Sequence, residues 1–120
     1  MILRTVRDQL HRETNHVVVS RWIDTNRPDN PPEDYFISDE GRQRLGDDLA
    51  DIRISDILVA DIIDGLSTRG GMSIEIGYAL GLNKPVILIG NPAGFGVFGH
   101  VFVKSFSDWT EAFQKFFLKI

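Results

Sequence analysis

The sequence predicts a single α/β domain built on a parallel sheet, and three observations predict it. Ile57-Leu58-Val59-Ala60 and Pro85-Val86-Ile87-Leu88-Ile89 are short continuous apolar runs, the pattern of strands covered on both faces. Segments of helical character precede, separate and follow them, and strands alternating with helices imply a parallel sheet wrapped by those helices. The length, 120 residues, is enough to bury one hydrophobic core.

Leu3, Val6 and Leu10 recur at helical spacing, so residues 3 to 13 read as an amphipathic helix. The β-branched run Val17-Val18-Val19 suits a strand continuing to Trp22-Ile23. Residues 24 to 36 hold Pro28, Pro31 and Pro32 among Asn and Asp residues, which makes them an irregular connection. Ser38 offers an N-cap, with Asp39 and Glu40 in the first turn of a helix to about Arg53.

After the first apolar run, residues 62 to 71 form a loop containing Gly and Ser, followed by a helix at 72 to 82. Pro85 is tolerated at the first position of the second buried strand. A glycine-rich loop from Gly90 to Gly99 leads to a last short strand, Val101-Phe102-Val103. Ser107 is placed to cap a final helix with Trp109, Phe113, Phe116, Phe117 and Ile120 on one stripe. Ligands of such sheets bind beyond the carboxyl ends of the strands, which points to loops 62 to 71 and 90 to 99.

Composition narrows the function classes. No apolar run approaches the roughly 20 residues of a membrane span. The first residues, Met1-Ile2-Leu3-Arg4, lack the apolar core of a signal peptide, which points to the cytoplasm. With no cysteine, disulfide and thiolate chemistry are excluded. A net charge of -4 argues against a nucleic-acid polymer as partner, since neutralising phosphates takes clustered Lys and Arg. His11, His16 and His100 show no metal-ligand spacing, and Asp47, Asp51, Asp56, Asp61 and Asp64 read as caps or water-facing groups. Neither a metal nor a cofactor is expected, and a small ligand in a cleft suits the balance better.

Two carboxylates stand in positions that expect apolar side chains. The helix at 72 to 82, Met-Ser-Ile-Glu-Ile-Gly-Tyr-Ala-Leu-Gly-Leu, is apolar or small all round apart from Glu75, so it reads as a buried helix. An unpartnered ionised carboxylate there would cost several kcal/mol. The alternative is a first-turn glutamate serving the helix dipole, a contribution of roughly 0.3 to 1 kcal/mol. In the preceding helix Leu45, Leu49 and Ile52 mark the core stripe, and at about 100° per residue Asp48 falls inside it while Asp47 and Asp51 fall outside. Asp48 could equally be a buried aspartate held by backbone N–H groups or an arginine. Carboxylates that converge on a cleft are the usual machinery of glycosyl transfer. Gly70 and Gly71 carry no Cβ, so the backbone there can approach a sugar ring closely.

Gly46-Asp47-Asp48-Leu49-Ala50-Asp51-Ile52-Arg53-Ile54-Ser55-Asp56-Ile57-Leu58-Val59 resembles the nucleoside 2-deoxyribosyltransferases and their relatives, the 2′-deoxynucleoside 5′-phosphate N-hydrolases. So does Gly70-Gly71-Met72-Ser73-Ile74-Glu75-Ile76-Gly77-Tyr78-Ala79-Leu80, followed by Lys84-Pro85-Val86. The similarity spans roughly residues 16 to 105, and the Glu-x-Gly-Tyr-Ala helix is its most specific part. It implies a flavodoxin-like three-layer sandwich over residues 1–120, a nucleoside or nucleotide as small-molecule partner, and at least a homodimer. Glu75 would be the nucleophile and Asp48 would assist proton transfer to the base. Arg69, Gly70, Gly71 and Ser73 would contact substrate.

Three departures qualify the resemblance. The family begins with a strand before its first helix, whereas Met1-Ile2 leads straight into a helix, so that strand is expected to be missing. The transferases carry an acid six positions before the nucleophile, where this chain has Arg69. The phosphate-recognising hydrolases also lack that acid, and an arginine can grip a phosphate bidentately, so a 5′-monophosphate is expected over a free nucleoside; Arg69 as a plain loop residue, or one paired with Asp61 or Asp64, is the alternative. Family members also take a polar residue from a neighbouring subunit, and in the matching stretch Gly96-Val97-Phe98-Gly99-His100 that residue would be His100. A catalytically silent nucleotide-binding domain of the same fold is the competing expectation.

Overall fold

The computed structural model describes residues 2–20, 23, 33–63, 71–92 and 102–120, and its contacts divide into two units, Met1–Ile54 and Ser55–Ile120.

In the first unit, α1 (Ile2–Glu13) follows the predicted amphipathic pattern and buries Val6 and Leu10. Arg4 Nε donates to the carbonyl of Ile23, 3.0 Å away. The helix ends at Thr14, whose N–H and hydroxyl both donate to the Leu10 carbonyl, at 3.0 and 2.7 Å. The strand expected at Val17-Val18-Val19 is not formed: residues 16 to 20 carry no regular structure and Val17 is 75% exposed. Side chains at the end of α1 take the backbone donors instead. His16 N–H donates to Thr14 Oγ1 and Val18 N–H to His11 Nε2, at 3.0 and 3.1 Å. β-branching expresses a fit to a pleated, half-buried surface, and Val17 has no such surface.

The second helix, α2 (Asp39–Ile54), is entered through a 3₁₀ turn at Glu33–Ile37. Ser38 caps it as predicted, its Oγ accepting from Gly41 N–H at 3.1 Å and its carbonyl from Arg42 N–H at 3.0 Å. Asp39 and Glu40 sit in the first turn, where the helix dipole favours anions. The buried face corrects the predicted stripe. It runs through Gly41, Asp48, Asp51 and Ile52, while Leu45 is 47% exposed and Leu49 half-buried. The 3₁₀ turn packs against α2, and the buried line is turned towards Gly41 and away from Leu45, so Asp51 joins Asp48 inside.

The second unit is α/β, as predicted. Strands β1 (Leu58–Asp61), β2 (Val86–Ile89) and β3 (Val103–Phe106) form a parallel sheet in the order β1-β2-β3. Leu58 registers with Val86 and Val86 with Val103; at the carboxyl end Asp61, Ile89 and Phe106 share a row. Every residue of β2 is buried, as a central parallel strand requires. The last strand lies two residues later than predicted, with Val103 as its first member.

Helix α3 (Gly71–Gly81) connects β1 to β2 and packs on both. It closes with Asn83 in the left-handed region, φ 57°. Asn83 N–H donates to the Leu80 carbonyl and Lys84 N–H to the Ala79 carbonyl, both at 3.0 Å, the paired bonds of a Schellman ending. Lys84 Nζ then donates to the Ser55 carbonyl just before β1.

Helix α4 (Trp109–Lys115) packs on β3 and runs into a 3₁₀ turn at Phe117–Lys119. Its N-cap is Asp108, whose Oδ1 accepts from Glu111 N–H at 2.8 Å, which moves the cap one residue beyond the predicted Ser107. The reason is reciprocal bonding. Ser107 offers its N–H and hydroxyl to Glu111 Oε2, leaving Asp108 to accept from the helix. Phe117 anchors the expected aromatic stripe, contacting Trp109, Phe113 and Phe116 at centroid distances of 6.4, 5.7 and 5.2 Å. Ile120, expected on the same stripe, is exposed.

Candidate active site

The carboxyl edge of the sheet is where a parallel α/β fold places its ligands. At that edge Asp61 ends β1, and both its oxygens are engaged. Oδ1 accepts from Ile63 N–H at 3.0 Å, closing a local turn, and Oδ2 accepts from Trp109 Nε1 at 2.9 Å. Beside it, Gly90 follows β2 with φ 131°, and a Cβ there would lie 2.9 Å from the backbone of Ile62 and Ile63. Only glycine fits this combination of angle and close approach. The exits of β1 and β2 are thereby locked together, and Ile62 N–H donates to the Ile89 carbonyl at 2.8 Å.

Glu75 lies on α3, the helix that leaves this edge and returns to β2. It is half-buried, with buried Ile76 next to it and buried Ala79 one turn on. The helix has no acid in its first turn, and the dipole's benefit falls off beyond that turn. The simple dipole explanation therefore accounts poorly for this glutamate. Helix α3 is not buried all round, which corrects the reading from composition. Ser73, Ile74, Gly77 and Gly81 face solvent, Ile74 being 57% exposed. Apolar composition marks a buried helix only if every side is covered, and the sheet covers one side of α3. Gly71 opens the helix and Ser73 is exposed near its start.

Asp48 lies on α2 in the first unit and is 7% exposed; Asp51, one turn later, is 5% exposed. Both make polar or electrostatic interactions, as buried carboxylates must. The cation nearest to Asp48 along the helix is Arg44. Its Nη2 and Nε donate to Glu40 Oε1 at 2.9 and 3.3 Å. The guanidinium is held above its ordinary value first by the Glu40 hydrogen bond, and further by Tyr35, Glu40 and Asp48 electrostatically, against partial desolvation. Tyr35 is a half-buried residue of the 3₁₀ turn that packs on α2.

Arg69, Gly70 and His100 lie outside the described residues. Among the described residues no group of three or more His, Asp or Glu is arranged to hold a metal ion, and no helix is long and apolar enough to cross a membrane. Sequence reasoning missed Arg44, Asp51 and the double engagement of Asp61. The i, i+4, i+8 spacing of Glu40, Arg44 and Asp48 was the signal available for the first of these. No family model, curated protein or solved structure matches the chain.

Proposed function

We propose that the chain cleaves or transfers the N-glycosidic bond of 2′-deoxynucleosides or their 5′-monophosphates, with Glu75 as nucleophile. The observation that carries this reading is Glu75 itself, the single charged side chain of an otherwise apolar helix, half-buried and beyond the first turn. Its helix joins adjacent parallel strands, the placement a flavodoxin-like sheet would give it, and the sequence resemblance supplies the substrate class.

In this reading the Glu75 carboxylate attacks C1′ of the sugar. The C1′–N bond breaks, its electron pair leaves with the base, and the base nitrogen takes up a proton, a step in which the sequence resemblance gives Asp48 the assisting role. The glycosyl ester on Glu75 is then opened by water, giving the free sugar or sugar phosphate, or by a second base, giving an exchanged nucleoside. Arg69 favours the 5′-monophosphate, Gly70, Gly71 and Ser73 line the sugar, and His100 is contributed across a homodimer.

The test is incubation with deoxynucleosides and deoxynucleoside monophosphates, with and without an acceptor base, following release and exchange by chromatography. Base release that Glu75→Ala abolishes is expected. Release by Glu75→Ala at the parental rate rules out the assignment. A second reading is a silent nucleotide-binding domain of the same fold. It predicts saturable nucleotide binding by calorimetry with no base release on long incubation.

A further inference from the structure

The end of α1 does for the residues after it what a neighbouring strand does in a sheet. Along a strand, alternate residues turn their backbone groups to the same partner. Here His16 N–H donates to Thr14 Oγ1 at 3.0 Å and Val18 N–H to His11 Nε2 at 3.1 Å, so two side-chain acceptors stand in for two carbonyls. Val17, between the two attachments, is 75% exposed. Thr14 is itself anchored, its hydroxyl donating to the Leu10 carbonyl at 2.7 Å.

The two attachments differ in chemistry. A hydroxyl oxygen accepts a hydrogen bond whatever the pH, whereas an imidazole nitrogen accepts only while it carries no proton. Because Nε2 is the acceptor, the ring proton of neutral His11 belongs on Nδ1. A second proton turns Nε2 into a donor aimed at the donor of Val18, and the contact is lost.

We propose that His11 is a pH-operated latch on residues 16 to 20. The neutral imidazole holds Val18 against the end of α1, and the imidazolium releases it, with Thr14 as the fixed point. What is released is the run Val17-Val18-Val19, whose β-branched side chains suit strand pairing, with a backbone donor regained at Val18. Few charges surround the ring. On α1, Arg7 and Asp8 lie one turn back on the same face and are paired with each other, Nε to Oδ1 at 3.3 Å. Arg12 is the next residue, and Glu13 accepts from Gln9 at 3.1 Å. His16 is the ionisable residue of the latched segment itself. Among the described residues no other helix or strand makes extended contact with α1. The latch is independent of the glycosidase reading.

The experiment is nuclear magnetic resonance on the isotope-labelled chain between about pH 8 and pH 5, the window in which histidine side chains change charge. At the upper end the imidazole nitrogen shifts of His11 are expected to report the Nδ1–H tautomer. On acidification the Val18 amide resonance should move with the His11 ring, and its hydrogen exchange, relative to an unstructured amide at the same pH, should rise about five-fold, the loss of one ordinary hydrogen bond. The His16 amide, held by Thr14, should change little. His11 is exposed, so its replacement removes no packing. His11→Gln keeps an acceptor that does not titrate and should hold Val18 at both ends of the window, His11→Lys should leave it released at both, and His16→Gln should keep the parental response. An Nε2–H tautomer at the upper end overturns the latch. So does a Val18 response that survives in His11→Gln or disappears in His16→Gln.

Discussion

Trp109 Nε1 donates to Asp61 Oδ2 at 2.9 Å, joining the first residue of the last α-helix to the final residue of β1 across a row whose middle member is Ile89. The contact links residues 48 positions apart and leaves the Asp61 carboxylate with one long-range and one local donor. Asp61→Ala strands both the indole N–H and Ile63 N–H, for an expected loss of about 2 kcal/mol, whereas Trp109→Phe keeps a ring near Phe117 and costs about 1 kcal/mol. Urea denaturation of the two variants checks the order. Equal losses would mean that the indole accounts for the whole effect.

Gly90→Ala is expected to be the most damaging small substitution in the sheet. The new Cβ would meet backbone atoms of Ile62 and Ile63 at 2.9 Å, and backbone cannot step aside as a side-chain tip can. Together with the φ of 131°, the loss should reach about 3 kcal/mol or more. A Gly90→Ala variant with parental thermal stability would show that this close approach is not maintained.

Asn83 tests the closure of α3. Left-handed backbone costs an ordinary L-residue roughly 1 to 2 kcal/mol, less for Asn and nothing for Gly. Asn83→Ala should therefore lower stability by about 1 kcal/mol, and Asn83→Gly should be neutral or slightly stabilising. The comparison of the two variants is the measurement, and Ala outperforming Gly contradicts the cap.

Glu111 gives a pH signature of definite sign. Its carboxyl lies below its ordinary value of about 4.5, first because the Ser107 hydroxyl donates to it, with smaller help from Ser107 N–H and Lys115. A carboxyl depressed in the folded state contributes stability above its unfolded value and loses it as pH falls through the lower folded value. Parental Tm should thus exceed that of Glu111→Gln near neutrality, with the gap closing on acidification below about 4.5. The effect is small at this surface position. A gap of constant size across that window excludes the mechanism.

Much of the architecture was legible because periodicity reports burial. Leu3, Val6 and Leu10 marked α1, and the all-apolar Val86–Ile89 run marked the central strand. Val17-Val18-Val19 misled because β-branching speaks of a surface to pack on, and the neighbouring hydrogen bonds were taken by His11 and Thr14. Asp51 was assigned outward because a projection from leucines fixes the stripe only where leucines are buried, and Leu45 is not. The candidate site divides in the same way. Asp48 inside followed from helical angles, whereas apolar composition put Glu75 in a fully buried helix and it is half-buried; the Asp61–Trp109 bond joins residues far apart in sequence, and no local pattern announces it.

The central position of β2 carries a consequence for biosynthesis. Its neighbour on one side is translated before it and its neighbour on the other after it. On the ribosome, β1 and β2 can meet first, leaving the Val86–Ile89 flank as a sticky apolar template until Val103–Phe106 emerges. Pausing of translation within that interval would prolong the time in which foreign strands compete for the vacancy.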